Sequence, residues 1–233
     1  MLGGSVMVAK MTVYVEGVGK IELEKGASLE EVSKQAFGSN YKEYLGARIN
    51  NEVFHLQKEA KENSYIKFLD LKTEDGYRIY TRTISLVFIL ACRELFPEET
   101  VTIEQFLGNG LYAEFQGEKN LGYSDINKIK KTMRKIIDKD LPIRRETVSY
   151  EEALDLFEKN GHYDKIRLYK TLNREKIQVY RVGDYVNSFH GYIAPSTGYV
   201  KHFDLKYYHP GVIILFPTGD SKNTIPEFKE QKK

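Results

Sequence analysis

Cysteine is almost missing from the chain: one residue, Cys92, stands among 233. That excludes an internal disulfide and any zinc site built on several thiolates, and it fits a reducing, cytoplasmic setting. An excess of charge of one sign is missing as well, since 35 Lys and Arg against 33 Asp and Glu leave a formal net charge of +2. Bulk charge therefore names no nucleic-acid partner, and any basic surface must come from local clustering. Long apolar runs are also absent. The most apolar window, Ile84 to Cys92 within TRTISLVFILACRELFP, has about half of the ~20 residues that a bilayer span needs. Arg82 and Arg93 flank it closely, so it reads as a core helix and not a membrane segment. MLGGSVMVAKM has one Lys and no apolar core before a cleavage site, so residues 1–10 read as a flexible lead and not a signal peptide. No internal repeat, no low-complexity segment and no G-x-x-x-x-G-K-[ST] occurs, so this chain does not cradle ATP phosphates in that way.

What is present suits a globular α+β protein. The hydrophobic and charged fractions, 41% and 29%, are those of a folded chain, and its length allows one large domain or two smaller ones. MTVYVEG and GVGKIELEKGA alternate around a turn, as hairpin strands do. Ser28 and Glu31 have capping-box spacing ahead of the helix SLEEVSKQAF. Strands then follow at LGARIN, at EVFHL after Asn50-Asn51, and at SYIKFLDL. This β-β-α-β-β-β order predicts a β-grasp domain over residues 11–71, with KTEDGY as a polar hinge. From residue 77 to 217 a second α+β domain is expected. It begins with the apolar helix, continues with strands around Gly108-Asn109-Gly110, and includes a helix over 124–139 with Ile126, Ile129, Met133, Ile136 and Ile137 on one face. Strands are expected at PIRRETVS, EKIQVYRVG, GYVKHFDLKYY and VIILFP, and a loose tail or linker over 218–233.

Particular words within this order resemble the N-terminal part of threonyl-tRNA synthetase. VYVEGVGKIELEKGASLEEV and LGARINNEVFHL are similar to its ubiquitin-like TGS domain. DGYRIYTRTISLVFILACRELFP, GNGLYAEF, LPIRRETVSYEEALDLFEKNG and STGYVKHFDL resemble its second additional domain, the editing domain of the threonyl/alanyl-tRNA synthetase type. The same pair of domains precedes a P-loop kinase domain in bacterial uridine-kinase-related proteins, and GYIAPSTGYVKHFDL followed by GVIILFP is similar to their version.

The resemblance implies a site of His-x-x-x-His on the first helix and Cys-x-x-x-His on a later strand and loop, converging on a metal ion or water that attacks an ester. In this sequence those positions are Arg82, Leu86, Phe189 and Ile193. None of these side chains ligates a metal, so no metal and no inherited catalytic residue is expected. Arg82 becomes a candidate for holding a phosphate or carboxylate, against the plainer reading of a snorkelling cation. Tyr112, His190, Tyr192, His202 and Asp204 are the further ligand-binding candidates. Lys128, Lys131, Arg134 and Lys135 crowd the polar side of one helix and are the nucleic-acid candidates. In synthetases these domains approach tRNA, which makes that face relevant.

The sequence reading that follows is a non-catalytic recognition front end of a uridine-kinase-related protein, binding a nucleotide, nucleoside or tRNA. On this reading the partner is a C-terminal P-loop kinase domain outside this chain, a transferase that uses ATP and Mg, while this chain holds no cofactor and meets no membrane. The alternatives are an aminoacyl-tRNA editing hydrolase with a site rebuilt around His190, His202 and Cys92, or a stand-alone tRNA-binding module.

Overall fold

A computed structural model describes residues 9–230 except 118, 120, 173, 220 and 222. The flexible lead, apart from its last two residues, lies outside that range. The chain divides into two compact units, Met1–Ile79 and Tyr80–Lys233, and both are mixtures of helix and sheet.

In the first unit, strands β1 (Lys10–Val15) and β2 (Gly19–Glu24) form the expected hairpin. Met11, Val13 and Val15 are buried, every second residue of β1, as one face of a strand requires. Helix α1 (Leu29–Phe37) starts at Ser28, whose hydroxyl accepts from the Glu31 backbone N–H at 3.2 Å while the Glu31 carboxylate accepts from the Ser28 backbone N–H at 2.7 Å. Those donors hold the Glu31 carboxyl below its ordinary pKa. Strands β3 (Gly46–Ile49), β4 (Glu52–Phe54) and β5 (Tyr65–Leu69) complete a sheet of order β2-β1-β5-β3-β4, with β1 and β5 parallel. Asn50 and Asn51 both have positive φ, 50° and 65°, the demand of a two-residue turn that matches strand twist.

The expected hinge at residues 72–77 is instead a helix start. Helix α2 runs over Glu74–Leu95, with Glu74 and Asp75 in its first turn. The Thr73 hydroxyl accepts from the Gly76 backbone N–H at 3.1 Å, as an N-cap does. A Cβ on Gly76 would lie 2.0 Å from the Asp70 carbonyl oxygen. The polar word KTEDGY was thus a cap and an acidic first turn, which share their composition with a linker.

Among the described residues the second unit holds two sheets. Strands β6 (Val101–Leu107) and β7 (Gly110–Phe115) pair around Gly108-Asn109. Helix α3 (Tyr123–Asp138) buries Ile126, Ile129, Met133, Ile136 and Ile137, the face read from its period. Strand β8 (Arg144–Ser149) leads to α4 (Tyr150–Lys159), capped by Ser149, and to α5 (Tyr163–Lys170). Strand β9 (Lys176–Val182) pairs with β8 and with the short β10 (Tyr185–Asn187), giving a three-stranded sheet on which α4 packs. Strands β11 (Asp204–Tyr208) and β12 (Gly211–Leu215) close the order β11-β12-β7-β6.

Two expectations change here. The strand foreseen over GYVKHFDLKYY is confined to Asp204–Tyr208. Ahead of it the Tyr80 hydroxyl donates to the His202 carbonyl at 2.7 Å and accepts from its N–H at 3.1 Å. A side chain there satisfies the backbone that a ladder otherwise would. The tail is not loose across its described part either. The Asn109 side chain donates to the Glu227 carbonyl and accepts from the Lys229 N–H, both at 2.8 Å, and Phe228 packs edge-on to Tyr208 under the Lys206 ammonium.

Candidate functional site

Helix α2 presents successive turns to the loop after β10. Its first turn in this unit anchors that loop by hydrogen bonds. The buried Thr83 hydroxyl accepts from the Ala194 N–H at 3.0 Å, and the half-buried Arg82 donates from Nη1 to the Tyr192 carbonyl at 3.4 Å. The guanidinium lies against Gly191, whose φ is 108°, and a Cβ there would stand 2.6 Å from Arg82 Cζ. Only glycine combines that backbone with that contact. From β9 the Tyr180 hydroxyl donates to the Gly191 carbonyl at 2.8 Å, and from β8 the Arg145 guanidinium sits 5.5 Å from the Tyr192 ring. Burial pushes the Tyr180 hydroxyl pKa up, partly offset by the Arg145 and Arg82 charges.

One turn later the chemistry changes from polar to apolar. Leu86 is buried in a cluster with Ile143, Tyr180, Val182, Tyr185 and Ile193, and Phe189 packs against it. The fold therefore brings Leu86, Phe189 and Ile193 together, with Arg82 beside them through Gly191 and Tyr192. Where the resemblance sets metal ligands and an attacking water, this chain has hydrocarbon and an arginine. Among the described residues no group of His, Cys, Asp and Glu is arranged to hold a metal ion.

The remaining candidates differ in exposure and in the partners that hold them. His190 and His202 are exposed. The Asp204 carboxylate accepts from Lys130 Nζ of α3 at 2.5 Å, which makes it part of an ion pair between α3 and β11. Tyr112 belongs to the four-stranded sheet, where its hydroxyl donates to Glu114 at 2.6 Å and its ring meets Tyr208 edge-on. Burial, with the Glu114 hydrogen bond added, raises its pKa. Cys92 is buried and its thiol is pushed up by burial alone, so it is not a poised nucleophile.

On α3, Lys128, Lys131, Arg134 and Lys135 are all exposed. Lys128 is 3.7 Å from Asp125, and the Arg134 guanidinium lies 5.0 Å from the centre of the Phe203 ring. Sequence reasoning missed Gly191, Tyr180, Thr83 and the role of Arg145. The signal for Arg145 was present in the Arg144-Arg145 pair, but its partner Tyr192 is far away in the chain.

No protein-family model matches the chain. Comparison with curated proteins is decisive for its relatives. They are threonine–tRNA ligases. The chain is 33% identical over 181 residues to that of Natranaerobius thermophilus, covering 77% of this chain and 28% of the ligase. It is 32% identical over 204 residues to that of Clostridium tetani, covering 87% and 31%. Threonine–tRNA ligase 2 of Bacillus subtilis is 29% identical over 205 residues, covering 88% and 32%. The chain thus spans about a third or less of the length of the relatives it matches. This is a threonyl-tRNA-synthetase-like α+β chain. No helix among its described residues is long and apolar enough to cross a membrane.

Proposed function

We propose that this chain is a tRNA-recognition module built like the N-terminal part of a threonine–tRNA ligase, with the editing reaction lost. Its first unit is read as a β-grasp domain of the TGS type. The sheet order β2-β1-β5-β3-β4 with a parallel central pair, and α1 between β2 and β3, supports that reading. The second unit is read as an editing-type domain. The observation that carries the loss of reaction is the apolar cluster of Leu86, Ile193 and Phe189 at three of the four positions that the resemblance assigns to chemistry. What remains is recognition: the exposed cations of α3, and Arg82 and Arg145 beside Gly191-Tyr192.

The relatives reported are all ligases, so the tRNA reading takes precedence over a kinase front end, to which the wording of residues 191–217 pointed. A rebuilt hydrolase is disfavoured by the buried Cys92 and by the exposure of His190 and His202.

The test is binding of threonine tRNA across a salt series. Alanine at Lys131, Arg134 and Lys135 together is expected to flatten the slope of log K against log salt by up to about 3, one for each phosphate contact removed. An unchanged slope would remove α3 as the interface. Hydrolysis of a mischarged tRNA, abolished by His190→Ala, would establish the hydrolase reading instead.

A further inference from the structure

Past Leu86, α2 continues to Leu90, Arg93 and Glu94, and these line a cavity of about 600 Å³ that shares Val182 and Tyr185 with the cluster around Leu86. Its size is within the usual range for small-molecule sites. Leu90, Leu141 and Val182 form part of an apolar wall. Three arginines reach it from three elements: Arg93 from α2, Arg144 from β8 and Arg181 from β9. Two carboxylates, Glu94 and Asp184, complete the polar lining.

The arginines are not a random surface set. Arg144 and Arg181 stand directly opposite each other in the antiparallel register of β8 and β9, an arrangement of like charges that costs stability unless something offsets it. Arg181 is offset and oriented by Glu146, both of whose oxygens lie 3.0 Å from its Nε. Arg93 is held by the Asn160 side chain at 3.2 Å and lies 5.3 Å from the Tyr185 ring centre. Arg144 is exposed, and no ion pair or side-chain hydrogen bond engages it among the described residues. Guanidinium forks suit the oxygens of a phosphate. The volume and the apolar wall call for a flat, weakly polar body attached to that phosphate. Glu94 and Asp184 can accept from hydroxyl or amino groups, and their charges disfavour a polyphosphate.

We propose that this cavity is a nucleotide site taking one phosphate with its sugar and base, supplied by a free nucleoside monophosphate or by the terminal nucleotide of an RNA. The Arg144 and Arg181 pair receives the phosphate, and the wall of Leu90, Leu141 and Val182 receives the base. The site is separate from the α3 cations and does not depend on them.

The experiment is calorimetric titration of the full chain with adenosine and uridine monophosphates, adenosine, adenosine triphosphate and a tetranucleotide, alongside methyl NMR. Saturable monophosphate binding is expected, with adenosine and the triphosphate at least about tenfold weaker. Arg144→Ala, exposed and therefore harmless to folding, is expected to weaken monophosphate binding by about 10- to 100-fold, the worth of one hydrogen bond to a charged group. Lys131→Ala is expected to leave monophosphate binding unchanged, even if it alters tRNA binding. Shifts at the Leu90, Leu141 and Val182 methyls place the ligand. A tetranucleotide that binds tighter than the monophosphates identifies an RNA end as the source, and equal or weaker binding identifies the free nucleotide. Absence of saturable binding of every nucleotide at millimolar concentration overturns the proposal, as does binding that ignores Arg144→Ala or leaves those methyls unshifted.

Discussion

Placing a histidine at Leu86 tests whether the cluster around it is closed to water. Leu86 is 1% exposed and its neighbours Ile143, Tyr180, Val182, Tyr185 and Ile193 are all buried. Leu86→His removes about 2 kcal/mol of apolar transfer. It also buries ring nitrogens among neighbours whose only polar side-chain groups, the Tyr180 and Tyr185 hydroxyls, are already bonded to the Gly191 carbonyl and the Asn187 amide, at about 1–3 kcal/mol. The expected loss is about 3–5 kcal/mol with the imidazole neutral. An apolar site lowers the pKa of a histidine below the ~6.5 of the unfolded chain, and the nearby Arg82 charge acts in the same direction. As pH falls below ~6.5 the unfolded state therefore binds a proton that the folded state refuses. The deficit then grows by up to about 1.4 kcal/mol per pH unit until the folded pKa is reached. Urea unfolding followed by tyrosine near-ultraviolet circular dichroism, at about pH 8 and about pH 5, measures both terms. Leu86→Ala provides the comparison, with a loss of about 2–5 kcal/mol that this mechanism leaves independent of pH. A Leu86→His deficit under about 1 kcal/mol at both pH values would mean that the imidazole reaches water or a partner, and the closed cluster would be wrong.

Two further outcomes follow from single residues. Gly108→Ala is expected to free the tail, because its Cβ would stand 1.9 Å from the Lys229 carbonyl oxygen at a φ of 59°; faster proteolysis near Phe228, with the rest of the unit intact, checks it, and an unchanged digestion rate refutes it. His162 is half-buried with Nε2 3.1 Å from the Val186 carbonyl, and desolvation lowers its pKa, with Lys165 and Arg93 adding to the effect and Asp164 and the Val186 hydrogen bond opposing it. Its folded pKa lies below that of the unfolded chain, so the second unit is expected to lose stability as pH falls from about 6.5 towards the folded value. His162→Gln should flatten that part of the stability profile, and a profile unchanged by the substitution refutes the assignment.

The parts legible in the sequence are those whose cause is local. Ser28 and Glu31 are three residues apart and make their cap without help from elsewhere; Asn50-Asn51 supplies its own turn, and the period of Ile126, Ile129 and Met133 sets the buried face of α3. The parts that were not legible depend on pairing across the chain. Thr73 reads as linker until Gly76 is seen packed on the Asp70 carbonyl. Lys201 to Phe203 read as strand until Tyr80, more than a hundred residues earlier, takes up the His202 backbone. Tyr112 and Asp204 read as cleft residues until the sheet commits one to Glu114 and α3 commits the other to Lys130. The same logic explains why Arg82 was visible and the cavity beyond it was not. The identity of Arg82 is a fact about one position. The opposition of Arg144 and Arg181 is a fact about register, and register is fixed only when β8 and β9 meet. A motif position can be read one residue at a time, whereas a cavity lined from three elements leaves no mark in the sequence until they fold together.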